Sequence, residues 1–347
     1  MPLTIALLGH PANAQALAAS RPGWPRSAVL AAFEASPPFA LEPELAIPSP
    51  GGPLPTGLIV APFLPESLTS ARGLANAARK SRAACELARD LGARIVALGG
   101  FTSIALGDQA EALAESSGMA LTSGNALTAG LALAQLDGLM TRLGREWHGY
   151  TVAIVGATGD IGRACAMALA SRAGKLILIG RNSGKLEALR GELPANTMIA
   201  TDVREALAAE VIIAATGAGQ PLFAEADLRP GTLVCDIGYP KTVTDSPDPR
   251  PDAMIFSGGL ARAPFTFDLS PYFGLPPDIV FGCFAEAIAL ALAGRYESYS
   301  IGQGRITVER MNAIVQLANA HGFEPAPLCR GRAMIDQERV TLVGRRA

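Results

Sequence analysis

The run YTVAIVGATGDIG, residues 150–162, constrains this chain more than any other stretch. Its core, Thr151–Val155, is a short β-branched and apolar run bounded by turn residues, the pattern of a buried parallel strand. Gly156, Gly159 and Gly162 follow at once, and RACAMALASRAG then has the composition of a helix that stops at Gly174. Strand, glycine-rich turn and helix in that order suit a dinucleotide pyrophosphate. One glycine permits a tight exit from the strand, one lets backbone approach phosphate, and one lets helix pack on strand, with the helix N-terminus facing the anion. Gly156, Thr158, Gly159, Asp160, Ile161 and Gly162 are therefore the expected cofactor-binding set.

Apolar segments alternate with helical ones on both sides of this unit. Before it, residues 3–10 and 57–65 read as strands with loops, 67–90 as a helix, and ARIVALGG as a strand delivering GGFTS at residues 99–103. LTSGNALTAG introduces a helix reaching about residue 143, whereas the proline- and alanine-rich stretch up to Pro55 has no assignable pattern. After it come a strand at Lys175–Ile179, a helix over 182–192, and strands near 198–200, 211–215, 233–237 and 254–256. The later strands end in Thr216 and Gly217, in the GYPK of Gly238 to Lys241, and in SGGL. Such alternation predicts an α/β chain with a doubly wound parallel Rossmann sheet, whose ligands sit at the carboxyl ends of the strands, where these glycines cluster. The expected division is an N-terminal α/β substrate domain over 1–148, the cofactor domain over 149–262, and a C-terminal helical segment over 263–347. That last segment begins with FDLSPYFGLPP, continues with helices over about 279–293 and 307–321, the second capped by His321, and ends in a basic tail from Arg330 whose structure the sequence leaves open.

A chain of 347 residues, 49% of them hydrophobic, can bury a full core. With 29 Lys and Arg against 31 Asp and Glu, no global charge draws it to nucleic acid or an anionic membrane. The five cysteines are scattered, with no spacing suited to zinc, so no metal is expected and a reduced, cytoplasmic protein is. MPLTIALLGH lacks the features of a signal peptide, and the apolar run at 279–293 contains Glu286 and is too short for a membrane span.

NAD-binding turns carry an acidic residue at the end of the second strand. Here LILIGRNSGKL places Arg181, Asn182 and Ser183 there, with no carboxylate. A guanidinium can stack on adenine and fork onto a 2′-phosphate, which predicts NADPH; a solvated loop cation is the other reading of Arg181.

Among reactive groups Cys283 stands out. Pro276, Pro277 and Asp278 read as a helix start, which puts its thiol in the first turn or two, where free N–H groups and the helix dipole favour the thiolate. Its small neighbours Gly282 and Ala285 also suit a buried structural cysteine, and the residues alone leave both readings open.

LLGH, FLPE, ALGGFTSI, VGATGDIG, GYPK, GCFAEA and HGFEP, in that order from the N-terminus to about residue 328, resemble the long-chain acyl-[acyl-carrier-protein] reductases of cyanobacteria. The resemblance implies that Cys283 takes a fatty acyl group from acyl carrier protein or CoA, and that NADPH reduces the resulting thioester to a fatty aldehyde. One departure stands out: Leu127 occupies the place of the family's histidine in its GN-T-H-TA segment, so substrate or rate is altered if that histidine contacts substrate or moves a proton.

Thioester exchange and reduction both pass through oxyanions, which need donors. The backbone of GGFTS and the hydroxyls of Thr102 and Ser103 are candidates, beside the alternative of an ordinary strand-to-helix turn. His10 is a candidate to protonate the leaving thiol or activate Cys283, or else a packed, hydrogen-bonded core residue. Residues 126–136 and 288–292 either line an acyl tunnel or form plain core. Arg72, Arg79, Lys80 and Arg82 are candidates to receive an acidic carrier protein or else form a solvated helix face. Two other functions compete: a shikimate-dehydrogenase-like oxidoreductase with direct hydride transfer and an inert Cys283, and a non-catalytic NADPH- or acyl-binding module.

Overall fold

The structure, a computed structural model, describes residues 2–218, 220–244, 246, 250–266, 269, 273–302, 304 and 306–344. The expected exit segment FDLSPYFGLPP lies in part, at residues 267, 268 and 270–272, outside the described residues.

Two sheets organise the chain. The first contains β1 (Ile5–Gly9), β2 (Phe39–Ile47), β3 (Leu54–Val60), β4 (Ile95–Leu98) and β5 (Ala120–Thr122), in the order β2-β3-β1-β4-β5. All its pairings are parallel except β2 with β3, which runs antiparallel with a register shift between Leu41 and Leu45. β1 and β4 are fully buried along their length, as continuous apolar runs in a sheet covered on both faces must be. The stretch before Pro55 holds the helices Ala14–Ala19 and Arg26–Ala35 and the edge strand β2, none of which has a sequence period strong enough to announce it.

The second sheet contains β6 (Thr151–Val155), β7 (Lys175–Ile179), β8 (Thr197–Ala200), β9 (Val211–Ala214), β11 (Leu233–Asp236) and β13 (Met254–Ser257). A short ribbon pairs β10 (Phe223–Ala224) with β12 (Val243–Thr244) beside it. The order β13-β11-β9-β6-β7-β8 is parallel throughout, the doubly wound sheet expected. Winding reverses between β6 and β9, and ligands bind in the crevice at such a switch point.

The C-terminal segment completes the first sheet rather than standing apart. β14 (Leu260–Arg262) pairs antiparallel with β15 (Ile279–Phe281) and β16 (Glu324–Pro325), and β15 feeds directly into the helix Gly282–Leu292. That helix packs on β1, β4 and the long helix Asn125–Arg142, which the helix Val308–Ala320 also contacts. A side chain at Gly130 would overlap the Val315 side chain, so Val315 of the helix Val308–Ala320 packs directly onto the long helix at this glycine. The alanines and leucines of 126–136 and 288–292 are thereby core, not tunnel.

The tail has structure that composition did not reveal. β17 (Cys329–Arg330) and β18 (Ala333–Met334) precede the helix Gln337–Gly344. Arg330 and Arg339 meet the buried Glu225 carboxylate at 2.9 and 3.7 Å, and the Arg145 guanidinium donates to the Val343 carbonyl at 3.3 Å. The tail is thus fastened to the cofactor sheet by charge-assisted bonds.

Candidate functional site

The carboxyl ends of both sheets open onto one cavity of about 590 Å³. From the first sheet come His10 after β1, Gly99, Gly100 and Phe101 after β4, and Ser123 after β5. The second contributes Thr158, Gly159, Asp160 and Ile161 after β6, Thr216 and Gly217 after β9, and Gly238, Tyr239 and Lys241 after β11. Cys283 lines the same cavity.

The glycine turn is shaped for a dinucleotide. Gly156 has φ +83, and a side chain there would overlap the Ala215 carbonyl oxygen, while one at Gly162 would overlap that of Gly156. At Gly159, the N-cap of the helix Asp160–Leu169, a Cβ meets only the Gly156 oxygen at 3.4 Å, so its outer side faces open space. Two glycines hold the turn and one presents backbone to the phosphates. The Asp160 carboxylate accepts from the Asn125 amide at 3.5 Å and the Gly304 N–H at 3.2 Å, so it ties the cofactor turn to the opposite wall. At the end of β7, Arg181, Asn182 and Ser183 line a shallow depression. Asn182 caps the helix Ser183–Arg190 through the Lys185 N–H, and Lys185 itself lines the cavity, a cation that no local motif marks. With cations and no carboxylate at this edge, the residues fit NADPH, which is the cofactor of this site.

Cys283 sits closer to its helix end than expected. Pro276 to Asp278 do not start the helix; they precede β15, and Phe281 is the N-cap, which makes Cys283 the second helical residue. Burial pushes its thiol up to about 12, while the N–H groups of Gly100, Phe284 and Cys283 itself pull the other way. The thiol is therefore protonated in the free protein, with three amides arranged to receive its anion.

All five cysteines are free, and Cys283 is the half-buried one; Cys85, Cys165, Cys235 and Cys329 are buried. Burial pushes Cys85 and Cys165 up to about 12 and Cys329 up to about 11, and raises Cys235 as well. Iodoacetamide is therefore expected to label the native protein at Cys283 alone, with a rate climbing about tenfold per pH unit from pH 7 to 10. Peptide mapping checks the site, and a plateau near pH 8 contradicts the raised pKa. Stability changes in the opposite sense. Below the ordinary thiol value of 9.0 both folded and unfolded states hold their protons, whereas above it the unfolded chain releases protons that the folded one keeps, so stability falls as pH rises.

The oxygens and nitrogens expected to do catalytic work are largely committed elsewhere. Thr102 is buried and donates to the Gly99 carbonyl at 2.9 Å, and the Ser103 hydroxyl donates to that of Gly100 at 3.2 Å. Both hydroxyl protons are thus directed to carbonyls three residues back, at the start of the helix Phe101–Leu106, rather than into the cavity. His10 Nδ1 bonds the Pro11 carbonyl at 2.9 Å, so Nε2 accepts the Phe101 N–H at 2.8 Å. Burial lowers this ring to about 4. A neutral histidine with both nitrogens engaged moves no proton to Cys283; it fixes the turn at Gly99 to Phe101, the packed alternative named above.

Leu127, at the place of the family histidine, is buried in the core and does not line the cavity. Its N–H donates to Glu286 Oε2 at 2.9 Å, and the Thr122 hydroxyl donates to Oε1. Glu286 joins the cysteine helix to β5 and the long helix, and burial raises its pKa. Lys80 also leaves its expected surface: its buried ammonium donates to the carbonyls of Glu34, at 3.0 Å, and Ser36. Among the described residues no cluster suits a metal ion, and no helix is long and apolar enough to cross a membrane.

Residues 139–256 match the family model described as shikimate / quinate 5-dehydrogenase. The match covers the cofactor sheet and leaves out His10, Gly99, Asn125 and Cys283. Over 309 residues the chain is 32% identical to the long-chain acyl-[acyl-carrier-protein] reductase of Synechococcus elongatus, covering 85% of this chain and 90% of that one. It is 33% identical over 287 residues to the aminotransferase PigE of a Serratia species, of which it spans 33%. Among solved structures, the glutamyl-tRNA reductase from Methanopyrus kandleri is 18% identical over 55% of this chain and 49% of that one, with a TM-score of 0.31. The dinucleotide turn, its cationic edge and the whole-length relative make this an NADPH-dependent reductase, and the chain belongs to the long-chain acyl-[acyl-carrier-protein] reductase family.

Proposed function

We propose that the chain reduces a fatty acyl thioester, delivered by acyl carrier protein or CoA, to the fatty aldehyde, with the acyl group held on Cys283 in between. The observation that carries this reading is that one cavity of about 590 Å³ is lined both by the Cys283 thiol and by the glycine turn of the cofactor site. Its apolar wall, from Leu98, Ile104, Phe273 and Phe284, suits a hydrocarbon chain.

Attack by Cys283 Sγ forms a carbon–sulfur bond as the bond to the carrier sulfur breaks, and the thiol proton leaves with the departing thiol. The amides that face Sγ hold its developing charge. Bound NADPH supplies the hydride that, with one proton from solvent, turns the enzyme thioester into aldehyde and free Cys283 thiol. Arg72, Arg79 and Arg82 remain on the helix Ala71–Asp90 for an acidic carrier, and Arg82 bonds Gln109, next to the cavity-lining Ala110. The shikimate-dehydrogenase-like alternative draws on the cofactor sheet alone, where the family model matches.

Intact-mass analysis tests the reading. Mixed with acyl-CoAs of graded length and no NADPH, the protein is expected to gain the mass of one acyl group, and to lose it, releasing aldehyde, when NADPH is added. No adduct at any length, or an adduct that survives NADPH, overturns it.

A further inference from the structure

With the Thr102 and Ser103 hydroxyls bonded to carbonyls, that turn offers no free side-chain donor to an acyl oxygen at Cys283. Ser123 donates to the Ser300 carbonyl, Thr128 to that of Gly124 at 2.8 Å, and Ser300 bonds Glu286. Among the described residues three hydroxyls that line the cavity make no hydrogen bond, those of Thr158, Thr216 and Tyr239, and the first two stand on the turns after β6 and β9 where the dinucleotide binds. We infer that Tyr239 is the side-chain donor that binds the thioester carbonyl oxygen and stabilises its charge as Cys283 and then hydride add to the carbon, a role that rests on the acyl-thioester reading above.

Placement and rigidity both support this. The Tyr239 ring stands edge-on to Phe281, the N-cap of the cysteine helix, with centroids 5.6 Å apart, and 5.7 Å from the His10 ring. It thus stands between His10, which holds the turn that faces Sγ, and the residue two before Cys283. Its loop is held from below by the buried Asp236 carboxylate, which accepts from the N–H groups of Gly238, Thr242 and Val243 at 3.0, 2.8 and 3.1 Å. Lys241 closes the same loop by donating to the Asp236 carbonyl at 2.8 Å. A donor fixed by backbone before the substrate arrives costs no reorganisation when charge develops. Burial also raises the phenol above its ordinary value, so it stays protonated and donates across the working pH range. No net proton passes through it: the oxyanion forms and collapses while the phenol keeps its hydrogen.

Tyr239→Phe keeps the ring and removes the oxygen. With palmitoyl-CoA as probe, rapid-quench mass analysis is expected to show acylation of Cys283 and its discharge by NADPH each slowed by about 100-fold, the scale of one lost oxyanion donor. NADPH affinity, read by fluorescence titration, stays within twofold and shows that the fold is intact. Acylation and discharge both within threefold of the unsubstituted protein, at unchanged NADPH affinity, overturn the role of Tyr239 alone. If the unsubstituted protein itself forms no adduct that NADPH discharges, the thioester reading falls and this inference falls with it.

Discussion

Cys283→Ala is expected to abolish the acyl adduct and lower aldehyde formation by about 10⁶-fold, the scale on which loss of an enzymatic nucleophile is felt. No other group stands ready to replace it. The remaining cysteines are buried and line no part of the cavity, and both His10 nitrogens are engaged. The substitution removes a half-buried sulfur and leaves the glycine turn, Arg181 and Lys185 untouched, so NADPH affinity by fluorescence titration is expected to stay within twofold. That pairing of lost chemistry with retained cofactor binding separates the three functions. A variant that keeps turning over within tenfold would return the reaction to direct hydride transfer, with the thiol a bystander. An unsubstituted protein that binds NADPH yet turns over no acyl thioester would leave a binding module.

What could be read from sequence was what neighbours along the chain decide. Thr151–Val155 and its three glycines occupy the places foreseen because a strand exit, a phosphate approach and a helix contact each impose a residue type at a fixed offset. Thr307 and His321 cap the helix Val308–Ala320 for the same local reason. The misreadings fall where partners lie far apart in the chain. Lys80 has the spacing of a solvated face, yet the carbonyls that take its charge come from residues 34 and 36, in a stretch with no readable period. The exception is local: Thr102 and Ser103 carry the right groups for an oxyanion site, but carbonyls three residues back take their protons. His10 is fixed by an amide 91 positions away. GYPK was visible as a motif, but its tyrosine acquires a role only once Phe281 and His10 are seen on either side of it. The helix start at Gly282, rather than at the prolines, depends on β15 pairing with β14, a contact no local signal encodes.

The same dependence on distant contacts makes two glycines of one helix region respond oppositely to alanine. Gly124 has φ +67, and a Cβ there would overlap the Cys283 Cα and lie 2.7 Å from the Cys283 Cβ. Left-handed backbone costs an L-residue about 1–2 kcal/mol, and forcing a methyl into packed atoms adds about 1–3. Gly124→Ala is therefore expected to destabilise the protein by about 4 kcal/mol, a melting temperature lower by on the order of 10 °C. Because the atoms in the way are the Cys283 Cα, Cβ and carbonyl oxygen at the helix N-terminus, the folded fraction is expected to displace Cys283, so its alkylation profile and acylation rate change together. Gly138, fourteen residues on in the helix Asn125–Arg142, is exposed, and a Cβ there meets nothing within 4 Å. Alanine at that position is expected to stabilise by about 0.5–1 kcal/mol, since it only removes the excess chain freedom of glycine. Thermal melts of the two variants side by side check the pair. Equal shifts would mean that the close approach of residue 124 to Cys283 does not hold the thiol in place.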